Sequence, residues 1–320
     1  MKNLGIHHVS SLVSDIHQSY DFYHNTLGLK LLIKTVNQDE KTMYHLFFSD
    51  TTGRGGTEFT LFQINTFKEN TFGTNSIERI IFAVPNVDAL TYWENRLNQF
   101  NIEHYGIETY GEDLMLRFED PDGLKIGFAV VANPDETYYP NPDSDVPTDF
   151  AILGIHSVHL RIRYKKATEF ILTNWFDFHE TSQFPEERFP ITVLQNTNGV
   201  FKHKIYLIED KLNPLEDQGI GGIHHLALYA EDKERLEEIQ ALIEERHFTN
   251  SGIVPREFIF ATYFKEPNGL LFEVASKTVG LPEFPQTNNI DEVPLYLPVF
   301  LEDKRALIEA ELKQIDGFRK

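Results

Sequence analysis

The run Gly5-Ile6-His7-His8-Val9-Ser10 returns as Gly222-Ile223-His224-His225-Leu226-Ala227, more than two hundred residues later. A third copy, Gly154-Ile155-His156-Ser157-Val158-His159, keeps only the first histidine of the doublet. Repetition on this scale constrains the fold more than any other feature, because self-similar units pair or stack instead of forming one irregular core. Around these runs four segments share one plan: a short apolar strand, a turn with an acidic or polar cap, an amphipathic helix, then two or three strands. They cover residues 4–64, 77–132, 152–210 and 219–276. In the first, Ile16, Tyr20, Tyr23 and Leu27 recur at helical spacing, Ser14 or Asp15 caps the start and Gly28 ends it. Leu90, Trp93 and Leu97 mark the second helix, Phe170, Ile171 and Trp175 the third, and Leu236, Ile239 and Ile243 the fourth.

Units of about fifty to sixty residues bury too little apolar surface alone, so they are expected to pair through their curved sheets. The expected fold is α+β: four βαβββ modules in two pseudo-repeated halves, with curved, barrel-like mixed sheets and a C-terminal tail helix. Pro134, Pro140, Pro142 and Pro147 break residues 133–151, which read as a linker between an N-terminal half (1–132) and a C-terminal half (152–276). The tail, 277–320, is proline-broken at first and then reads as a helix from Glu302 to about Gln314, wrapping the outside of the body.

Composition narrows the partners. With 29 basic and 49 acidic residues the net charge is −20, which opposes binding to nucleic acid or an anionic membrane. No apolar run reaches the roughly 18 residues of a membrane span, and the first residues lack a secretory h-region, so a cytoplasmic location is expected. The absence of cysteine excludes disulfides, thiolate metal sites and cysteine nucleophiles. A bound metal must then rest on His, Asp, Glu, Tyr or water.

The repeats allow an internal comparison. Neighbouring strand side chains alternate between faces, so one histidine of each doublet faces a given cavity. The position of His7, His156 and His224, filled three times, reads as architectural, while His8 and His225 are the selective pair. Overlaying "PNGLLFEVA" (267–275) on "PDGLKIGFA" (121–129) sets Gly127 opposite Glu273, with Thr60 in the first unit and His203 in the third. Glu273 lies between Phe272 and Val274, where a carboxylate is costly unless paired, hydrogen-bonded or bound to a cation. Two imidazoles and one carboxylate on interior strand faces make a 2-His-1-carboxylate facial triad, which holds non-haem Fe(II) and leaves positions open for substrate and dioxygen. A single strand histidine is more often a hydrogen-bonded structural residue. Matched doublets together with Glu273 favour the metal.

These residues resemble the vicinal oxygen chelate superfamily, which includes glyoxalase I, bleomycin-resistance proteins and extradiol ring-cleaving dioxygenases. The stretches "GIHHVSSLVSDIHQSYDFYHNTLGLKLL", "YHLFF", "GGIHHLAL" and "PNGLLFEVA" are most similar to its hydroquinone-type ring-cleaving dioxygenases, and the likeness extends into "LPVFLEDKRALIEAELK". The resemblance implies His8, His225 and Glu273 as ligands of Fe(II), with Mn(II) the alternative, and module one packed beside module four. It implies His7 and His224 as supporting residues, Ser10 where Thr is usual, and Arg256 and Tyr263 on the strand before Glu273. In the implied reaction a dihydroxylated ring and dioxygen meet at one ion. Arg256 favours the phenolate, and Tyr263 and His224 are candidates for proton transfer. A surface ion pair for Arg256 and an ordinary strand aromatic for Tyr263 are the plain alternatives. The implied partners are a small aromatic substrate and O2, with a homo-oligomer left open.

Ser157, His159 and His203 suggest a second inward-facing cluster, but Gly127 stands where its acid would be, which favours a vestigial or structural role. Two rival functions share the fold. A glyoxalase-type isomerase usually employs four protein ligands, and Thr60 is a poor fourth. A metal-free aromatic- or drug-binding resistance protein would have no use for His8, His225 and Glu273 together.

Overall fold

The computed structural model describes residues 3–66 and 68–319, with side chains for 4–66 and 68–313. Module one comprises β1 (Asn3–Val13), α1 (Ile16–Tyr20, continued by a π-helical turn, Asp21–Thr26), β2 (Lys30–Val36), β3 (Tyr44–Ser49) and β4 (Glu58–Gln63). Module two comprises β5 (Ser76–Val84), α2 (Val87–Gln99), β6 (His104–Tyr110), β7 (Asp113–Glu119) and β8 (Lys125–Val130). Module three comprises β9 (Gly154–Ile162), α3 (Lys165–Trp175), β10 (Phe178–Phe184), β11 (Ile191–Asn196) and β12 (Lys204–Glu209). Module four comprises β13 (Ile223–Ala230), α4 (Lys233–Glu245), β14 (Asn250–Pro255), β15 (Phe260–Lys265) and β16 (Leu271–Ala275).

The strands form two eight-stranded mixed sheets, ordered β14-β15-β16-β13-β1-β4-β3-β2 and β10-β11-β12-β9-β5-β8-β7-β6. Module one therefore shares a sheet with module four, and module two with module three. Each sheet draws one module from each half of the chain. The central pairs, β1 with β13 and β5 with β9, run antiparallel, and each of these four strands is parallel to the last strand of its own module.

Asp15, Asn86 and Asp232 sit in extended backbone at the starts of α1, α2 and α4, and each accepts a hydrogen bond from a first-turn N–H. The apolar stripes of the helices pack with one face of the sheets. Ile6, Val9 and Val13 of β1 join Tyr20, Tyr23, Trp93, Trp175 and Ile239 in one large core. One expected core residue is not there: Phe170 is 42% exposed, and Thr168, Ile171, Leu172 and Trp175 form the buried face of α3. Ile171 and Trp175 are buried as inferred, and Thr168 and Leu172 complete the stripe in place of Phe170.

The proline-broken segment between β8 and β9 is packed down, with Val146 and Ala151 buried and the Phe150 carbonyl accepting from the Trp93 indole at 2.8 Å. The tail runs along module one, where Leu297, Leu301, Ile308 and Leu312 cover Val36. It ends in α5 (Arg305–Arg319). Among the described residues no helix is long and apolar enough to cross a membrane.

Candidate metal centre

The doublets acquire their geometry from β-bulges. In the β1–β13 ladder, Ile6 faces Leu228 and His8 faces Ala227, which leaves His7 as an extra residue; likewise Ser10 faces His225 and Ser11 faces Ile223, which leaves His224 extra. The bulge defeats the simple alternation of strand side chains. Each first histidine turns back behind its neighbour, so that His7 Nδ1 lies 2.9 Å from His8 Nδ1 and His224 Nδ1 lies 2.8 Å from His225 Nδ1. His8 and His225 line the cavity on this sheet; His7 and His224 do not.

His8 Nε2, His225 Nε2 and Glu273 Oε2 converge on the cavity floor. The three separations are 3.1 Å between the imidazoles, 3.3 Å from His8 to Glu273 and 3.0 Å from His225 to Glu273. Donors held at about 2.1 Å from one ion lie about 3.0 Å apart at octahedral right angles and about 3.4 Å apart at tetrahedral angles. The observed triangle sits nearer the octahedral face. If both Nε2 atoms carry lone pairs, three electron-rich atoms meet in a buried space, an arrangement that a cation resolves. Glu273 Oε1 is buried without a hydrogen-bond partner, a second sign of a group that needs a cation. The donor set thus fits a divalent transition ion with open positions.

Electrostatics agree with this convergence. Burial pushes Glu273 upward, but the adjacent His8 and His225 overcome it and hold the carboxyl well below its usual range. Burial lowers His8, yet Glu273 more than offsets that, and the imidazole is raised. For His225 burial prevails and the pKa falls. Burial also brings His7 and His224 down to about 3, which keeps both neutral.

Around the triangle, Ser10 Oγ lies 2.9 Å from His225 Nε2 and 2.6 Å from Thr60 Oγ1. Thr60 faces Ser10 across β1–β4 as Glu273 faces Ala227 across β13–β16, so the overlay of these two positions is correct in register. Tyr263 is opposite Glu273 on β15 and lines the cavity; burial and the neighbouring Glu273 raise its phenol far above the usual range, so it remains a donor. Arg256 is not on that strand: it lies in the hairpin between β14 and β15, reaches the cavity, and stands 5.3 Å over the Tyr263 ring. It also pairs with exposed Asp39 at 2.9 Å, so the ion pair and the cavity position coexist.

Three cavity or near-cavity residues escaped sequence reasoning. Glu58 lies two residues before Thr60, hence on the same face of β4, and burial lifts it to about 7. Thr278, from the tail, donates to Glu58 Oε1 at 2.7 Å. His45 lines the cavity with its ring centroid 4.0 Å from those of Phe47 and Phe62, and its Nε2 is buried without a partner. The period-two rule applied to "GTEFT" would have found Glu58; nothing local marks Thr278. The cavity has a volume of about 110 Å³, the same order as the roughly 150 Å³ of an apolar cavity that takes up benzene.

The second sheet repeats the plan without the chemistry. Glu78 and His156 are its bulged residues, and Arg79 and Ser157 occupy the places of His8 and His225. His159 is opposite Tyr206, so Tyr206, not His203, matches Glu273 in module three. The overlay on "GVFKH" misplaced β12, which begins only at Lys204. His203 instead accepts from the Ile6 N–H at 3.2 Å. Arg79 donates to the carbonyls of Phe118 and Ile126, and the rings of Tyr110 and Tyr206 flank His159.

Residues 5–128 match the family model of the Glyoxalase/Bleomycin resistance protein/Dioxygenase superfamily. Over 320 residues, 98% of this chain and 100% of the other, the sequence is 40% identical to "Putative ring-cleaving dioxygenase MhqA" of Bacillus subtilis (strain 168). The chain belongs to this superfamily. Another superfamily relative, the "Chlorohydroquinone/hydroquinone 1,2-dioxygenase" of Sphingobium indicum, is 25% identical over 86% of each chain. A crystal structure named for a "putative dioxygenase from Bacillus subtilis subsp. subtilis str. 168" superposes with a TM-score of 0.84 over 97% of each chain at 27% identity. The fold seen here is thus shared along nearly the full length of that chain.

Proposed function

We propose that the protein is a ring-cleaving dioxygenase acting on hydroquinone-like dihydroxylated aromatics, with Fe(II), or alternatively Mn(II), held by His8, His225 and Glu273. The observation that carries this reading is the three-donor face with its unpartnered Glu273 oxygen, opening into an aromatic-walled cavity the size of one ring. The relatives named as ring-cleaving and hydroquinone dioxygenases support it. When bound, the ion supplies a common centre for substrate and dioxygen and the electron traffic between them.

The protein's own groups do the remaining work. Phe47, Phe62 and Phe258 give the ring apolar walls and limit water. Arg256 places a positive charge over the same space, which favours a phenolate over a phenol. Tyr263, kept protonated by burial, offers an O–H to oxygen atoms that gain negative charge. Ser10, bonded to Thr60, sits beside the nitrogen of His225 that an ion would take from it, and His224, off the cavity wall, reaches the reaction only through the His225 ring. At the place where an isomerase would need its fourth ligand, Thr60 is engaged by Ser10.

Oxygen uptake by protein loaded anaerobically with Fe(II) tests the reading, comparing hydroquinone and chlorohydroquinone with catechol and a hemithioacetal. Uptake with the first pair and ring-opened product is expected. Hemithioacetal turnover without oxygen use would establish the isomerase instead, and inertness toward every ring would sink the dioxygenase.

A further inference from the structure

The three histidine runs differ in what lies beyond the first histidine. His156 Nδ1 meets Ser157 Oγ at 3.0 Å, and its buried Nε2 makes no hydrogen bond, with Asp113 Oδ2 3.8 Å away. His224 meets His225 through Nδ1, and no protein group among the described residues binds its far nitrogen. Among the described residues, only behind His7 does a chain of hydrogen-bond contacts continue. His7 Nε2 lies 3.2 Å from Thr278 Oγ1, and that hydroxyl donates to Glu58 Oε1 at 2.7 Å.

Proton positions along this chain are fixed from both ends. A neutral imidazole has one donor and one acceptor nitrogen. With Nε2 of His8 turned to the triad, its proton is on Nδ1 and is donated to His7 Nδ1. That makes Nδ1 of His7 an acceptor and places its proton on Nε2, where Thr278 Oγ1 accepts. The threonine proton is then free for Glu58. The reverse tautomer would set two N–H groups against each other at 2.9 Å.

We infer that Thr278 and Glu58 are positioning residues that lock the tautomer of His7 and thereby orient His8 as a ligand, an inference that rests on the triad reading above. The tail is thus part of the centre's support: the same segment delivers Glu273 on β16 and, five residues on, the hydroxyl that steadies the opposite ligand. Outer hydrogen-bond partners of this kind typically govern ten- to a hundred-fold of metal affinity.

The test uses the full chain and Mn(II), following the free-ion electron paramagnetic resonance signal. Thr278→Val keeps the shape and removes the hydroxyl; it is expected to weaken binding about ten-fold or more. Thr278→Ser restores the hydroxyl and is expected to bind within about three-fold of wild type. Long-range nitrogen–proton spectra of the Zn(II)-loaded protein read the tautomer directly: His7 should carry its proton on Nε2 in wild type and Thr278→Ser, and lose that single form in Thr278→Val. Wild-type affinity in Thr278→Val, or a His7 proton on Nδ1 in wild type, overturns the lock. So does uptake of two ions per chain with one lost in Glu58→Gln, which would make His7, His8 and Glu58 a ligand set of their own. Failure of the triad reading looks different, since wild type itself would then bind no Mn(II), and the inference falls with it.

Discussion

Glu273→Gln gives the most direct measurement of the centre. The substitution keeps the shape of the side chain and removes the charge that faces two imidazole nitrogens at 3.0 and 3.3 Å. An ion that binds only the folded protein stabilises it by about 2.7 kcal/mol at a hundred times its dissociation constant. Unfolding entropy of about 2.1 cal/mol/K per residue, over 320 residues, amounts to roughly 0.7 kcal/mol/K when both sheets melt together. Saturating Fe(II) or Mn(II) should therefore raise the melting temperature of wild type by about 4 °C under anaerobic conditions. If only one sheet melts in the observed step, the entropy halves and the shift doubles. In Glu273→Gln, measured against its own metal-free baseline by scanning fluorimetry, the same ion concentration should give less than about 1 °C. A wild type unmoved by either ion, or a variant that shifts as much as wild type, would refute the assignment of His8, His225 and Glu273.

Three further outcomes are expected. Arg256→Met should lower kcat/KM by about a hundred-fold through loss of a charge-assisted contact, whereas Asp39→Asn should cost less than about five-fold; equal effects in steady-state kinetics would reduce Arg256 to its surface ion pair. Burial lifts Asp120 from 3.8 to about 7 when folded, so the native state holds its proton more tightly than the unfolded chain. Stability from that group is complete below about pH 4 and is lost as pH rises through about 7, so urea midpoints of Asp120→Asn should fall less than those of wild type between about pH 5 and 8, a difference of order 1 kcal/mol. Trp93→Ala removes a fully buried indole whose N–H serves the Phe150 carbonyl and should cost about 3–5 kcal/mol in urea unfolding; a cost under about 1 kcal/mol would contradict the tight packing of α2 against the linker.

Much of this architecture was legible in the residues, and the reasons for the exceptions are physical. Repeated runs expose module boundaries because each module must rebuild the same strand, helix and turn signals. The same repetition picked out His8, His225 and Glu273, since these residues depart from Arg79, Ser157, Gly127 and Tyr206 at the matched places. Glu58 departs from its counterparts Lys125, Lys204 and Leu271, but the overlay was read only at the position of Glu273, two residues on, and Thr278 lies in irregular chain, where no periodicity assigns a face. His203 was misplaced because strand starts in a loop-rich stretch are poorly marked, and a shift of three residues exchanges it for Tyr206. The bulges at His7 and His224 were also hidden: strict alternation predicts opposite faces, and only the ladder register reveals the extra residue. Arg256 reached the cavity from a hairpin, a placement that strand logic does not anticipate.

The pairing of module one with module four sets a schedule for biosynthesis. β1 begins at Asn3 and its partner β13 at Ile223, about 220 residues later. At about 5–20 residues per second, a ribosome needs roughly 11–44 s between the two. Throughout that interval β1 presents an unpaired edge, a template for association with other nascent chains. Modules two and three, adjacent in sequence, can close their sheet first and carry no ligand set. The triangle of His8, His225 and Glu273 therefore forms last, when the final module reaches back to the first. A chain halted before β13 would have one sheet built and would hold His8 without His225 or Glu273.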